Sequence, residues 1–301
     1  MAVPDRAPAE AVGIPVLAPV PPVAMVLAAA TSIQFGAALA ATLFDEIGPA
    51  GASVLRLAPA AVLLLAIWRP RVSAHPRRHL RLAALFGLTL GAMNLCFYEG
   101  LARVPLGPAV TIEFAGPVAV AVLLSRRRLD LVWVALAVAG IVLLANPFGA
   151  HGLNVVGVVF LLGAAACWGL YIVVGGRLTR AFSGGTGLAL GAVVATLVPL
   201  APGIAQAGAK LVHPRLLGLG IAVALLSSVI PYTLETESLR RVPAHVFGVL
   251  MSLEPAVAAV AGFLVLGQTL GARDLLAIGL VTAASVGVTR TMTTAPRLEQ
   301  A

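Results

Sequence analysis

A few side chains in this 301-residue chain stand out against their neighbours. Glu113 and Glu254 are carboxylates inside long apolar runs, and Arg56 is a guanidinium inside another. A charge near the centre of an apolar phase costs about 2.5–3.5 kcal/mol on insertion scales, so each needs a reason. Two carboxylates and one guanidinium facing a common cavity can hold an ammonium group, hold a carboxylate by paired hydrogen bonds, or carry a proton. Gln34 and Asn94 add amides able to bond a hydroxyl or a carboxylate. Tyr98, Trp168 and Tyr171 add amphipathic rings, the last two spaced three apart and so on one helical face. Each has a structural alternative. The acids can staple helices through hydrogen bonds, and the amides can bond between helices. Arg56 can snorkel or pair, with Asp45 and Glu46 as nearby partners, and the rings can pack or anchor at an interface.

The surrounding composition says what must position these groups. Sixty per cent of the residues are apolar and 11% are charged, and the mean hydropathy is +1.01. Soluble domains are about half apolar and a quarter charged. The chain therefore reads as an all-α integral membrane protein, which excludes a soluble enzyme or a nucleic-acid binder. A membrane enzyme would need convergent catalytic side chains at one depth, and a scaffold would not need buried acids. Ten segments are apolar and long enough to span a bilayer. They run Val23–Phe44, Gly51–Trp68, Leu82–Glu99, Leu106–Leu124 and Leu131–Leu144, then Val155–Val174, Thr186–Ala205, Leu216–Leu234, Ala244–Leu266 and Leu275–Thr289. Residues 1–22 and 291–301 read as tails, the first disordered and without the basic start of a signal peptide. With the N-terminus inside, fifteen arginines fall on inner segments against four basic residues outside, so both termini are expected in the cytoplasm. Cys96, Cys167 and five scattered histidines form no metal-ligand pattern, and no cofactor is implied.

The chain also repeats itself. Glu99-Gly-Leu-Ala-Arg-Val-Pro105 matches Glu237-Ser-Leu-Arg-Arg-Val-Pro243 at five of seven positions, 138 residues apart. Pro117 falls on Pro255 at the same offset. The copies are separated by five spans, an odd number, so they face opposite ways. Two inverted halves, 23–146 and 155–290, can exchange conformations and open a central site to each side in turn. Glu113 and Glu254 lie on repeat-related helices, although Glu113 maps onto Met251 and Glu254 onto Gly116. Pro231 lies near the inner end of the eighth span and is expected to free backbone carbonyls toward the cavity. Glu235 is a weaker candidate close by, and Glu237 and Glu99 read as rim charges answering Arg240 or Arg241 and Arg103. Gly87 and Gly91 read as a close-packing pair. No Gly-x4-Gly-Lys-Ser/Thr loop occurs, so ATP is not expected to drive the protein directly.

Several runs resemble the bacterial threonine/homoserine exporters of the drug/metabolite transporter superfamily, which carry two EamA-type repeats. They are Ser32-Ile-Gln-Phe-Gly36, Leu55-Arg-Leu57, Gly91-Ala-Met-Asn94, Glu113-Phe-Ala-Gly-Pro117, Ala166-Cys-Trp-Gly-Leu-Tyr171, Pro231-Tyr-Thr-Leu-Glu235 and Met251-Ser-Leu-Glu-Pro255. The likeness runs from about Ala24 to Val288; Gln268 departs from the Gly-Glu-Thr-Leu run of that family. The resemblance implies ten transmembrane helices, both ends inside, in a bacterial inner membrane. It further implies export of small amino acids coupled to protons, with no nucleic acid or ATP as partner. A relative moving another amino acid, a purine or a lipophilic drug is the alternative; a lipophilic-drug site would tolerate loss of Arg56, whereas a zwitterion site would not.

Overall fold

The computed structural model describes residues 19–124, 130–145, 153–183, 185–239, 241, 247 and 250–293. The N-terminal tail up to residue 18, most of the segment joining the eighth and ninth spans, and the C-terminal tail lie outside the described residues. The helices are α1 (Pro22–Ala41), α2 (Phe44–Trp68), α3 (Arg77–Leu101), α4 (Leu106–Glu113), α5 (Ala115–Leu124) and α6 (Asp130–Ala145). They continue as α7 (Val155–Ala181), α8 (Thr186–Ala207), α9 (Pro214–Ala224), α10 (Ile230–Leu239), α11 (Glu254–Leu266) and α12 (Ala272–Thr293). Among the described residues, six helical stretches are long and apolar enough to cross a membrane: α1, α2, α3, α7, α8 with its 3-10 extension to Val212, and Pro214–Glu235. Three further apolar segments, Leu106–Val120, Leu131–Leu144 and Glu254–Leu266, form shorter helices.

Interruptions within the helices have local causes. A proline at position i removes the bond to the carbonyl four residues earlier and crowds it. Pro117 thus frees the carbonyl of Glu113, where α4 ends and α5 begins after Phe114. Pro255 does the same to Met251, just before Leu253 caps α11. Pro231 frees the carbonyl of Ser227, and residues Leu225–Val229 widen into a π turn between α9 and α10. In α2, Gly48 takes φ 69° before Pro49, which breaks the helix one turn after its start. On either side of that break the backbone reaches across to other elements. The Ala50 N–H donates to Gln206 Oε1 at 2.8 Å, and Lys210 Nζ donates to the Glu46 carbonyl at 2.9 Å.

The helices pair in a regular way. α2 packs on α8, α6 on α12 and α4 on α11. α3 packs on α7 as α1 packs on the π turn and α10, and α3 meets α8 as α9 meets α2. Close approach depends on the absence of side chains. A Cβ on Gly87 would lie 2.3 Å from the Gly191 carbonyl oxygen, and one on Gly91 2.5 Å from that of Ala195. A Cβ on Gly36 would lie 2.2 Å from Ser227 Oγ, so glycine lets α1 lie against the π turn. The largest core, including Leu43, Ile47, Leu101, Leu106, Leu161 and Leu216, fills the end of the bundle where α1 meets α2. A smaller one, including Phe86, Leu178 and Phe182, lies toward the α2–α3 end.

Candidate functional site

Between these cores lies a cavity of about 440 Å³, inside the range of about 300–1,000 Å³ common for small-molecule sites. Seven of the eight residues singled out from the sequence line it: Gln34, Arg56, Asn94, Glu113, Trp168, Tyr171 and Glu254. They come from α1, α2, α3, α4, α7 and α11. Tyr98 does not line it. That ring is fully buried behind Arg56 and braces the guanidinium, whose carbon sits 5.6 Å from the ring centroid.

Arg56 is held by neutral groups. Nη1 donates to the Tyr98 hydroxyl at 3.4 Å and Nη2 to the Ser227 carbonyl at 3.3 Å. The second acceptor is the carbonyl that Pro231 leaves without a helical donor. Nε has no partner, and among the described residues Arg56 forms no ion pair. Glu46, a nearby candidate partner in the sequence, lies elsewhere. It pairs with Arg215 at 3.3 Å, because the broken turn of α2 directs it toward α9. Glu113 lies within electrostatic reach of Arg56 without contacting it.

The carboxylates gather on the other helices. Glu254 is 4% exposed, and one of its oxygens accepts from Gln34 Nε2 at 3.2 Å. Its other oxygen, Gln34 Oε1 and Ser227 Oγ are buried without partners. Glu254 is within electrostatic reach of Glu113 and of Glu235, and Glu235 also lines the cavity. Asn94 Nδ2 donates to the Leu90 carbonyl at 2.9 Å, which leaves its oxygen to accept. Trp168 meets Phe114 edge-on at 5.0 Å, and Tyr171 lies 4.8 Å from Phe86, so both aromatic walls are fixed by packing.

The rim charges pair as read: Glu99 with Arg103 at 2.8 Å, and Glu237 with Arg241. The sequence reading did not single out Ser227, Ser285 or Phe247, which also line the cavity. Ser227 was within reach of that reading, since it lies four residues before Pro231.

The arrangement can hold a small molecule bearing both charge signs, and its helices match known transporters. Residues 155–290 match the EamA-like transporter family. A threonine/homoserine exporter RhtA of Salmonella typhimurium strain LT2 is 43% identical over 285 residues, 93% of this chain and 95% of that protein. The chain belongs to the EamA-like transporter family. A threonine/homoserine exporter RhtA of Escherichia coli strain K12 is 44% identical over 276 residues, 90% of this chain and 92% of that protein. A solved crystal structure shares the fold at TM-score 0.59 and 17% identity, covering 90% of this chain and 99% of its own. This EamA-like transporter is a multi-pass protein of the bacterial inner membrane and not an enzyme.

Proposed function

We propose that this transporter exports small zwitterionic amino acids, threonine and homoserine among them, by alternating access coupled to protons. The observation that carries this reading is the unpaired Arg56 facing the Glu113, Glu254 and Glu235 carboxylates across one cavity. The substrate carboxylate takes the free edge of Arg56, and its ammonium group takes Glu254 or Glu113. Gln34, Asn94 and Ser227 offer polar atoms to a side-chain hydroxyl. Proton coupling assigns uptake and release of a proton to the same acids. The names of the 43–44% identical relatives support the cargo.

Ten spans in two inverted halves, with both termini cytoplasmic, give the site its mechanics. The helix pairings support this: α2 with α8, α6 with α12 and α4 with α11 pair each span with its counterpart five spans later. The remaining pairings exchange with one another under the same shift. In that orientation the tightly packed α1–α2 end faces outward.

Proteoliposomes with an imposed pH gradient test the reading. Wild type should move threonine and homoserine with the gradient, and Glu113→Gln should not. Failure of wild type to move either would overturn the cargo, and normal transport by Glu113→Gln would overturn the role of Glu113. Loss of transport in Arg56→Ala would separate a zwitterion site from one for lipophilic compounds.

A further inference from the structure

Apart from Arg56, Arg290 and Arg241, which pairs with Glu237, the arginines among the described residues fall into two populations. At the α1–α2 end, Arg103, Arg215 and Arg273 each have a carboxylate within 4 Å: Glu99 at 2.8 Å, Glu46 at 3.3 Å and Asp274 at 3.8 Å. At the opposite end, Arg69, Arg71, Arg77, Arg78 and Arg81 surround the α2–α3 connection, and all are exposed. Arg177 and Arg180 are exposed in the last turns of α7. None of these seven forms an ion pair with a described residue. The sequence explains why: no acid occurs between Glu46 and Glu99, nor between Asp130 and Glu235.

The two groups form one surface. α3 packs along α7, and the rings of His75 and His79 lie 4.8 and 5.7 Å from Phe182. Leu178, between the two α7 arginines, is buried in the core that includes Ala83 and Phe86. The arginines of α3 also occupy its first turns, where the helix dipole favours negative charge and no acid is present. Directly beside this surface are exposed Ile67, Trp68, Leu85 and Leu88, an apolar face suited to acyl chains.

We propose that the arginine surface formed by the α2–α3 and α7–α8 connections binds the phosphate headgroups of anionic phospholipids. Unpaired guanidinium groups supply the headgroup contacts, bidentate where geometry allows. The apolar face below holds the acyl chains, which a free phosphate cannot use. The inference needs the protein to be membrane-embedded but does not depend on its cargo.

Electron spin resonance with spin-labelled lipids tests it on the full-length protein in phosphatidylcholine vesicles. Spin-labelled phosphatidylglycerol should be motionally restricted in preference to spin-labelled phosphatidylcholine. Arg77→Gln/Arg78→Gln should remove most of that preference, whereas Arg103→Gln at the other end should leave it unchanged. Millimolar inorganic phosphate should not displace the lipid; displacement would reassign the surface to free phosphate. Equal restriction of both lipids by wild type would overturn the proposal, as would an unchanged preference in the double variant. The assay needs no substrate, so its failure is distinct from failure of the transport reading.

Discussion

Arg56 owes its position to a residue that never touches it. Pro231 cannot donate to the Ser227 carbonyl, and that carbonyl holds Nη2 of Arg56. In Pro231→Ala the carbonyl gains the N–H four residues on as a donor that competes with the guanidinium. Transport should weaken with a raised KM for threonine while the protein still folds, as counterflow assays across a substrate range would show. Arg56→Lys should be a poor replacement, because a point charge cannot reproduce a two-pronged contact. A loss of about tenfold or more in kcat/KM is expected. Gln34→Leu removes the one hydrogen bond made to the buried Glu254 carboxylate. It should destabilise the protein by about 1–3 kcal/mol, read as a lowered midpoint in detergent thermal unfolding. At this scale the sequence was informative wherever a polar residue interrupted an apolar run, which is how Gln34, Arg56, Asn94, Glu113 and Glu254 stood out. It was misleading where proximity in the chain stood in for proximity in space. Glu46 lies ten residues before Arg56 in α2 yet pairs with Arg215. The hydroxyl of a serine such as Ser285 gave no signal, because it costs little in an apolar helix and is common there; Ser227 was marked only by its spacing from Pro231.

Helices were legible from their apolar runs, but their interruptions were only partly so. Pro231 was readable as a break. The turn at Gly48 was not, since a glycine followed by proline also occurs in a regular first turn. Glycines were more legible. Gly87 was marked by its spacing from Gly91 and Gly176 carried no such mark, and a Cβ on Gly87 meets backbone at 2.3 Å whereas one on Gly176 meets nothing within 4 Å. Gly176→Ala should therefore be neutral or stabilise by up to about 1 kcal/mol through helix propensity. Gly87→Val should prevent α3 and α8 from closing. Size-exclusion profiles and thermal midpoints of the two purified variants would check the contrast; equal behaviour would contradict the packing described here.

For the whole molecule, the strongest sequence signal was the 138-residue repeat, and its value lay in an arithmetic relation rather than in any single residue. It implied two halves facing opposite ways, and said nothing of which helices would touch. Which helices touch came from the structure: α2 packs on α8 and α4 on α11. Orientation is checked by labelling. With Cys96 and Cys167 replaced by alanine, Ser73→Cys should react with a membrane-impermeant thiol reagent only from the cytoplasmic side, and His213→Cys only from outside. Both positions are exposed in connections between helices. Labelling with the opposite sidedness would invert the orientation, and labelling of both from one face would refute the span count.

The broken turn of α2 has a consequence for how easily that end of the bundle can rearrange. In an unbroken helix the Ala50 N–H and the Glu46 carbonyl would bond to each other. Here each has a substitute, Gln206 for one and Lys210 for the other. Separation of α2 from α8 would let the two backbone groups reunite as the two side chains return to water. The hydrogen-bond tally is then nearly the same before and after, so the segment can change partners without passing through a state of unmet need. A contact built from such exchangeable bonds holds while the two helices stay together and is cheap to reverse when they part.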